Sequence, residues 1–230
     1  MKKKITNFIL FLVISLITII IILSTSGIET NKFNKLIIEK SSQGKNINLK
    51  LETIKFKIDP KKLSLFLETH NPEIMYKNLL VPVKSIKAYV DFLSLLRSDP
   101  IIKKISISSE ELDIIQISKL SSIIKPSTFK SLLNNKIKEG KLIAEIEIFL
   151  NRDGLIEDFI AKGTVRKLKA ELLSNMNLKE TNLSFFADRS DILIKNIFGF
   201  LEDIKISEGD MRLNLENGIK LNSNFNSKIN

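Results

Sequence analysis

The chain has no cysteine and no tryptophan, a single histidine, five prolines and eight glycines in 230 residues. Without cysteine there is no disulfide framework, no thiolate metal site and no cysteine nucleophile. His70 stands in Thr69-His70-Asn71-Pro72, with no serine, aspartate or metal-ligand spacing around it, and reads as a loop histidine. Aromatic residues make up only 7% of the chain. Long apolar runs are also scarce, since there is one, at residues 5–28.

That run carries no charged side chain. At ~1.5 Å per residue it makes about 36 Å of helix, enough to cross the ~30 Å hydrocarbon core of a bilayer. In lipid every backbone polar group must be satisfied within the segment, which a run of Ile, Leu, Val and Phe without proline achieves as a helix. Asn7, Ser15 and Thr18 are exceptions that a helix tolerates. Lys2, Lys3 and Lys4 crowd one end, whereas Lys32 and Lys35 beyond the other share their space with Glu29. This places the N-terminus in the cytoplasm. A cleaved leader is the rival reading, because Ser24 and Ser26 suit the positions before a cleavage point, but the apolar run exceeds a usual ~7–15-residue leader core. The expected organisation is a cytoplasmic tip at 1–4, a transmembrane anchor at 5–28 and one exported domain at 29–230.

A net charge of +10 admits an anionic partner such as phospholipid headgroups. Lysine, however, alternates with apolar residues through strand-like segments and there marks a solvated face. An exported chain would meet no nucleic acid, and none of the usual nucleic-acid motifs is present.

Period-two alternation dominates the exported part. Residues 47–51 and 54–58 alternate out of phase, as one strand with a bulge would. Leu63, Leu65 and Leu67 form its antiparallel neighbour, and residues 81–90 form another strand, with Pro82 at an edge or start. The spacing of Phe92, Leu93, Leu95 and Leu96 predicts a short helix near 91–98, stopped by Asp99-Pro100. After Ile105 and Ile107, Ser108-x-x-Glu111 offers a capping box, but the reading favoured here is a strand over 112–117 followed by helix from about Ser118. Three- and four-residue spacing then predicts helix over 118–138 in two pieces, with Gly140 as its C′ residue. The clearest strand is 141–151. It has Leu142, Ala144, Ile146, Ile148 and Leu150 on one face, Glu145 and Glu147 on the other, and a turn at Asp153-Gly154 leading to a partner at 156–165. Further strands are expected at 167–172, 182–187, 192–197, 203–206, 211–216 and 219–225, with turns at 188–191, 208–210 and 216–218. There is no exact internal repeat.

Glu110, Glu111 and Asp113, and likewise Glu208 and Asp210, fall at strand ends and in turns, where acidic residues serve solvation and turn geometry. No catalytic residue, metal ligand or cofactor site is assigned. Asn182-Leu183-Ser184 matches a glycosylation sequon, a frequent accident. The fold class expected is mainly β: a transmembrane helix followed by a curled antiparallel sheet forming a hydrophobic groove. An apolar sheet face needs covering, either by a second sheet as in a sandwich or by acyl chains in the groove.

The order of elements is similar to that of the AsmA-like proteins. An anchor and a strand lead to Val90-Asp91-Phe92-Leu93-Ser94-Leu95-Leu96, then Ile101-Ile102-Lys103-Lys104-Ile105-Ser106-Ile107 and Glu111-Leu112-Asp113-Ile114. Later stretches, Gly140-Lys141-Leu142-Ile143-Ala144-Glu145, Phe159-Ile160-Ala161-Lys162-Gly163-Thr164-Val165, Leu183-Ser184-Phe185-Phe186-Ala187 and Ile206-Ser207-Glu208-Gly209-Asp210-Met211, resemble the TamB/YhdP-type members. The resemblance implies a non-enzymatic protein of the Gram-negative inner membrane whose repeating β-groove moves phospholipids or supports outer-membrane assembly. On this reading Leu142, Ala144, Ile146, Ile148 and Leu150 line the lipid path, with phospholipids and other envelope proteins as partners. Some 14 strands at ~4.8 Å give a groove about 65 Å long, short for a bridge between membranes. That length suggests either the N-terminal part of a longer protein or a partner that completes the path.

Overall fold

The structure is a computed structural model that describes residues 2–30, 47–51, 53–61, 64–76, 79–91, 94, 101–123, 136–173, 176–216 and 220–228. Helix α1 (Lys2–Thr25) holds the apolar run only as far as Thr25, because Ile28 already belongs to the first strand, and it is long and apolar enough to cross a membrane. Hydroxyl groups along it bond back to the helix: Thr18 Oγ1 donates to the Ile14 carbonyl (2.9 Å) and Thr25 Oγ1 to that of Ile21 (2.7 Å). The helix ends where the N–H groups of Ser26 and Gly27 both reach the Ile22 carbonyl. Gly27 there adopts φ 70°, the left-handed conformation a glycine supplies at least cost.

The chain is otherwise mainly β. Its strands are β1 (Ile28–Thr30), β2 (Ile47–Lys50), β3 (Ile54–Asp59), β4 (Ser64–His70), β5 (Glu73–Tyr76), β6 (Leu79–Val81), β7 (Val83–Val90), β8 (Ile102–Ser109) and β9 (Leu112–Asp113), followed after helix α2 (Ile114–Ile123) by β10 (Ile137–Leu150), β11 (Ile156–Leu173), β12 (Met176–Ala187), β13 (Asp191–Leu201), β14 (Ile204–Asn214) and β15 (Lys220–Lys228). Twelve of them form one open antiparallel sheet in the order β1-β3-β4-β7-β8-β10-β11-β12-β13-β14-β15, with β9 pairing beside β10. Strands β2, β5 and β6 form a separate three-stranded sheet. The eleven-strand path has ten spacings, about 48 Å at ~4.8 Å each, shorter than the strand count of the sequence implied.

Registration lines up the apolar positions across the whole sheet. One row reads Thr30, Ile54, Thr69, Ile86, Ile107 and Ile146 from β1 to β10. It continues as Ala161, Ala187, Ile192, Leu213 and Leu221 to β15. A second row beside it runs Phe56, Leu67, Ala88, Ile105, Ile148 and Phe159. On the opposite face Glu29, Lys55, Glu68, Lys87, Ser106 and Glu147 lie opposite one another in turn, so neighbouring charges alternate in sign. The tightest packing is at the N-terminal end, where Ile54, Leu67 and Val90 are buried against Leu51, Phe56 and Ala88.

Five consecutive strands slip phase at about the same level. In β11, β12 and β13 the slip is carried by Lys167, Glu180 and Asn196 with φ of 51°, 47° and 53°. In β10 the register shifts around Gly140, and in β14 it shifts between Ile206 and Glu208. Such bulges bend a strand and increase its twist, and aligned across five strands they crease the sheet. The side chain of Asn182 accepts from the Lys167 N–H (3.1 Å) and that of Asp210 from the Asn196 N–H (3.3 Å), covering donors that the bulges free from the ladder. Below the crease Ala170, Thr181, Ile197 and Ile206 are buried.

Several expectations are corrected. Residues 47–51 and 54–58 belong to two different sheets, because β2 leaves to pair with β5. Residues 156–165 and 167–172 are one strand, as are 203–206 and 211–216. Each bulge shifts the apolar phase by one (Val165 to Leu168, Ile206 to Gly209), which imitates a strand break. Glu208-Gly209-Asp210 is therefore paired strand just after the bulge at Ser207, and not a turn. Helix begins at Ile114, not Ser118, and its cap is Asp113 with Gln116, each side chain accepting from the other's N–H at 2.9 Å. Ile137 opens β10, so Gly140 lies inside a strand and not after a helix. Residues 124–135 lie outside those described, as does most of 91–98, where Asp91 Oδ1 accepts from the Ser94 N–H at 3.0 Å.

Candidate functional site

Strict alternation along β10 puts Leu142, Ala144, Ile146, Ile148 and Leu150 on one face. That face is the one holding the apolar rows, so the structure brings the five candidates together. Their surroundings differ. Leu142 lies on the wall of a cavity, whereas Ile146 is 39% exposed on the open sheet. Ala144 stands opposite Gly163, whose missing side chain lets Phe185 close over the backbone; a Cβ there would come within 2.8 Å of the Phe185 ring and 2.3 Å of the Ile143 carbonyl.

The cavity has a volume of about 410 Å³ and spans the crease. Helix α2 roofs it with Ile114 and Ile117, and the floor includes Val165, Leu168, Leu183, Phe185, Ile192 and Ile194 from β11, β12 and β13. Lys141 borders it, with its ammonium drawn to Glu111 Oε1 at 2.6 Å. Among the described residues no carboxylate lines it. The size and the apolar lining suit a site for an apolar ligand. Each methylene seated here contributes ~0.8 kcal/mol, so ten contribute about 8 kcal/mol before ordering costs. The floor residues on β11 to β13 were missed as site residues in the sequence because the bulges hide their common phase. The roof was missed because nothing local ties α2 to those strands.

The opposite face is electrostatically closed. Glu68, 5% exposed, accepts from Lys57 (2.8 Å) and Lys87 (3.3 Å) and faces His70 Nε2 (3.4 Å). Burial pushes its carboxyl up, but the Lys57 hydrogen bond and the two lysine charges outweigh burial and hold it below the usual carboxylate range. Glu147 pairs with Lys104 (3.2 Å) and Glu145 with Lys162 (3.2 Å), so these two acids are ladder partners rather than simply solvated. Lys104 also lies over the Tyr89 ring at 4.3 Å, a cation–π contact.

Of the acidic residues considered for chemistry, Glu111 pairs with Lys141 and three more have structural partners. Asp113 caps α2, Glu208 accepts from Asn226 (3.5 Å), and Asp210 serves the Asn196 bulge. Among the described residues no group of three or more His, Asp and Glu side chains is placed to hold a metal. No protein-family model, curated protein or solved structure matches the chain.

Proposed function

We propose that this chain is a single-pass inner-membrane protein, N-terminus cytoplasmic and bulk periplasmic, whose curled sheet offers phospholipid acyl chains a hydrophobic groove for lipid transfer or outer-membrane assembly. The observation that carries the reading is the uncharged row that crosses the eleven strands of the main path from Thr30 to Leu221 and passes beside the cavity under α2. A continuous lining of this kind works by partition. An acyl chain exchanges one set of apolar neighbours for the next at little cost, so no specific pocket is needed to move it. The AsmA-like resemblance supports the same reading.

The test is labelling by a phospholipid with a photoactivatable acyl chain, using the full chain in its membrane and mapping adducts by mass spectrometry. Adducts on Val165, Leu183, Ile192 and Ile146 are expected. Adducts confined to α1 would refute the groove and favour a membrane-anchored envelope scaffold.

A further inference from the structure

Only Ser26 and Gly27 separate the apolar helix from the first strand of the twelve-stranded sheet. They form a fixed corner and not a tether. Both N–H groups are held by the Ile22 carbonyl, at 3.1 and 2.9 Å, and Gly27 takes a left-handed conformation. A Cβ at position 27 would lie 2.7 Å from Lys57 Cγ and 3.0 Å from the Phe56 carbonyl, so the corner packs directly on β3. Ile28, Glu29 and Thr30 are then registered against Phe56, Lys55 and Ile54.

We infer that α1 and the sheet are joined rigidly at Gly27, and that the partner of the β1–β3 edge is the interfacial layer of the bilayer that α1 crosses. The inference rests on the reading of α1 as a membrane span. Ile28 is three residues beyond α1, within ~10 Å of its end at ~3.3 Å per residue. The headgroup region on each side of a bilayer is itself ~5–8 Å deep. Ile28 is more than half exposed and pairs with Phe56, so an apolar cross-strand pair that opens the hydrophobic face lies within reach of the headgroup layer. The joint thereby fixes one end of the apolar rows at the membrane.

The chain has no native cysteine, so single cysteines report position cleanly. Thr30→Cys on β1 and Ser223→Cys on β15 are each labelled with a polarity-sensitive fluorophore, in the full chain reconstituted into phosphatidylethanolamine/phosphatidylglycerol vesicles containing a headgroup-spin-labelled quencher. Several-fold stronger quenching at position 30 than at 223 is expected. Insertion of twelve Gly/Ser residues after Gly27 should lower the position-30 signal to the position-223 level while the thermal midpoint is kept. Equal quenching at the two sites in the unmodified joint overturns the inference, and so does quenching at position 30 that survives the linker. The first comparison needs no altered joint, so misfolding of the linker variant leaves it decisive. Neither readout requires lipid transfer: strong quenching without acyl-chain adducts on the sheet would sink the transport reading and keep the joint.

Discussion

Ile146→Asp separates an open apolar face from a packed core. Ile146 is 39% exposed, so about three-fifths of its surface is covered by its neighbours in the sheet. Full burial of an isoleucine is worth about 1.5–3 kcal/mol, so the loss is about 1–2 kcal/mol, and the new carboxylate can still reach water. For a chain of this size that is a fall of about 2–8 °C in Tm. Ile54, 1% exposed in the same row, gives the contrast. Ile54→Asp forfeits the whole burial term and strands an unpaired carboxylate, several kcal/mol more, against a typical stability of ~5–15 kcal/mol. The assay is thermal unfolding of both variants in parallel with photolabelling by the acyl-chain probe. The expected outcome is a folded Ile146→Asp protein that has lost its label near β10, and an Ile54→Asp protein that is unfolded or nearly so. Equal collapse of the two would show that a second layer covers Ile146 and would refute the open face.

Glu180→Gly should stabilise the fold by about 0.5–1 kcal/mol, because relief of a left-handed non-glycine exceeds the added chain entropy; denaturant midpoints measure it. Gly163→Ala should cost roughly 1–3 kcal/mol, since the added methyl meets the Ile143 carbonyl and the Phe185 ring. Asp188, Asp191 and Glu202 are held below the usual carboxylate range by backbone hydrogen bonds, by the Arg212 guanidinium and by the Asn177 N–H respectively, as Glu68 is by its lysines. Depressed folded values mean stability that is complete above the unfolded carboxylate range, near pH ~4, and lost as pH falls through the folded values. An acid titration of Tm should therefore decline below about pH 4 and decline less in Glu68→Gln. A reporter active only outside the cytoplasm, fused after Asn230, should be active and resist alkaline extraction; a shortened soluble product would show that α1 is a cleaved leader.

The fold class was legible because the two-residue period survives wherever one face is apolar, as along β10. Strand ends were less legible. A bulge keeps the chain extended while moving the apolar residue from one parity to the other, and Lys167 and Glu180 carry no local sign that they take left-handed φ. Pairing was legible between hairpin neighbours, as for β3 with β4 and for β10 with β11 across Asp153-Gly154, but not where the chain skips a neighbour. Nothing in β4 announces that its neighbour is β7, reached after β5 and β6 have left for another sheet. The β10 members of the candidate site were readable from alternation alone, whereas the cavity depends on α2 meeting β10 to β13 in space. Even on β10 the reading of the acidic side was incomplete, since Glu147 looks solvent-directed in the sequence but is closed by Lys104 and Lys162.

The aligned bulges from β10 to β14 also bear on how such a sheet can grow. A hairpin that repeats the slip at the same level presents the same two faces as its neighbour, so a duplicated pair of strands adds about 10 Å of length without any change to its flanks. Drift is then constrained in the phase of the apolar positions and not in their identity, and a lineage can lengthen its sheet hairpin by hairpin while every trace of the duplication fades from the residues themselves.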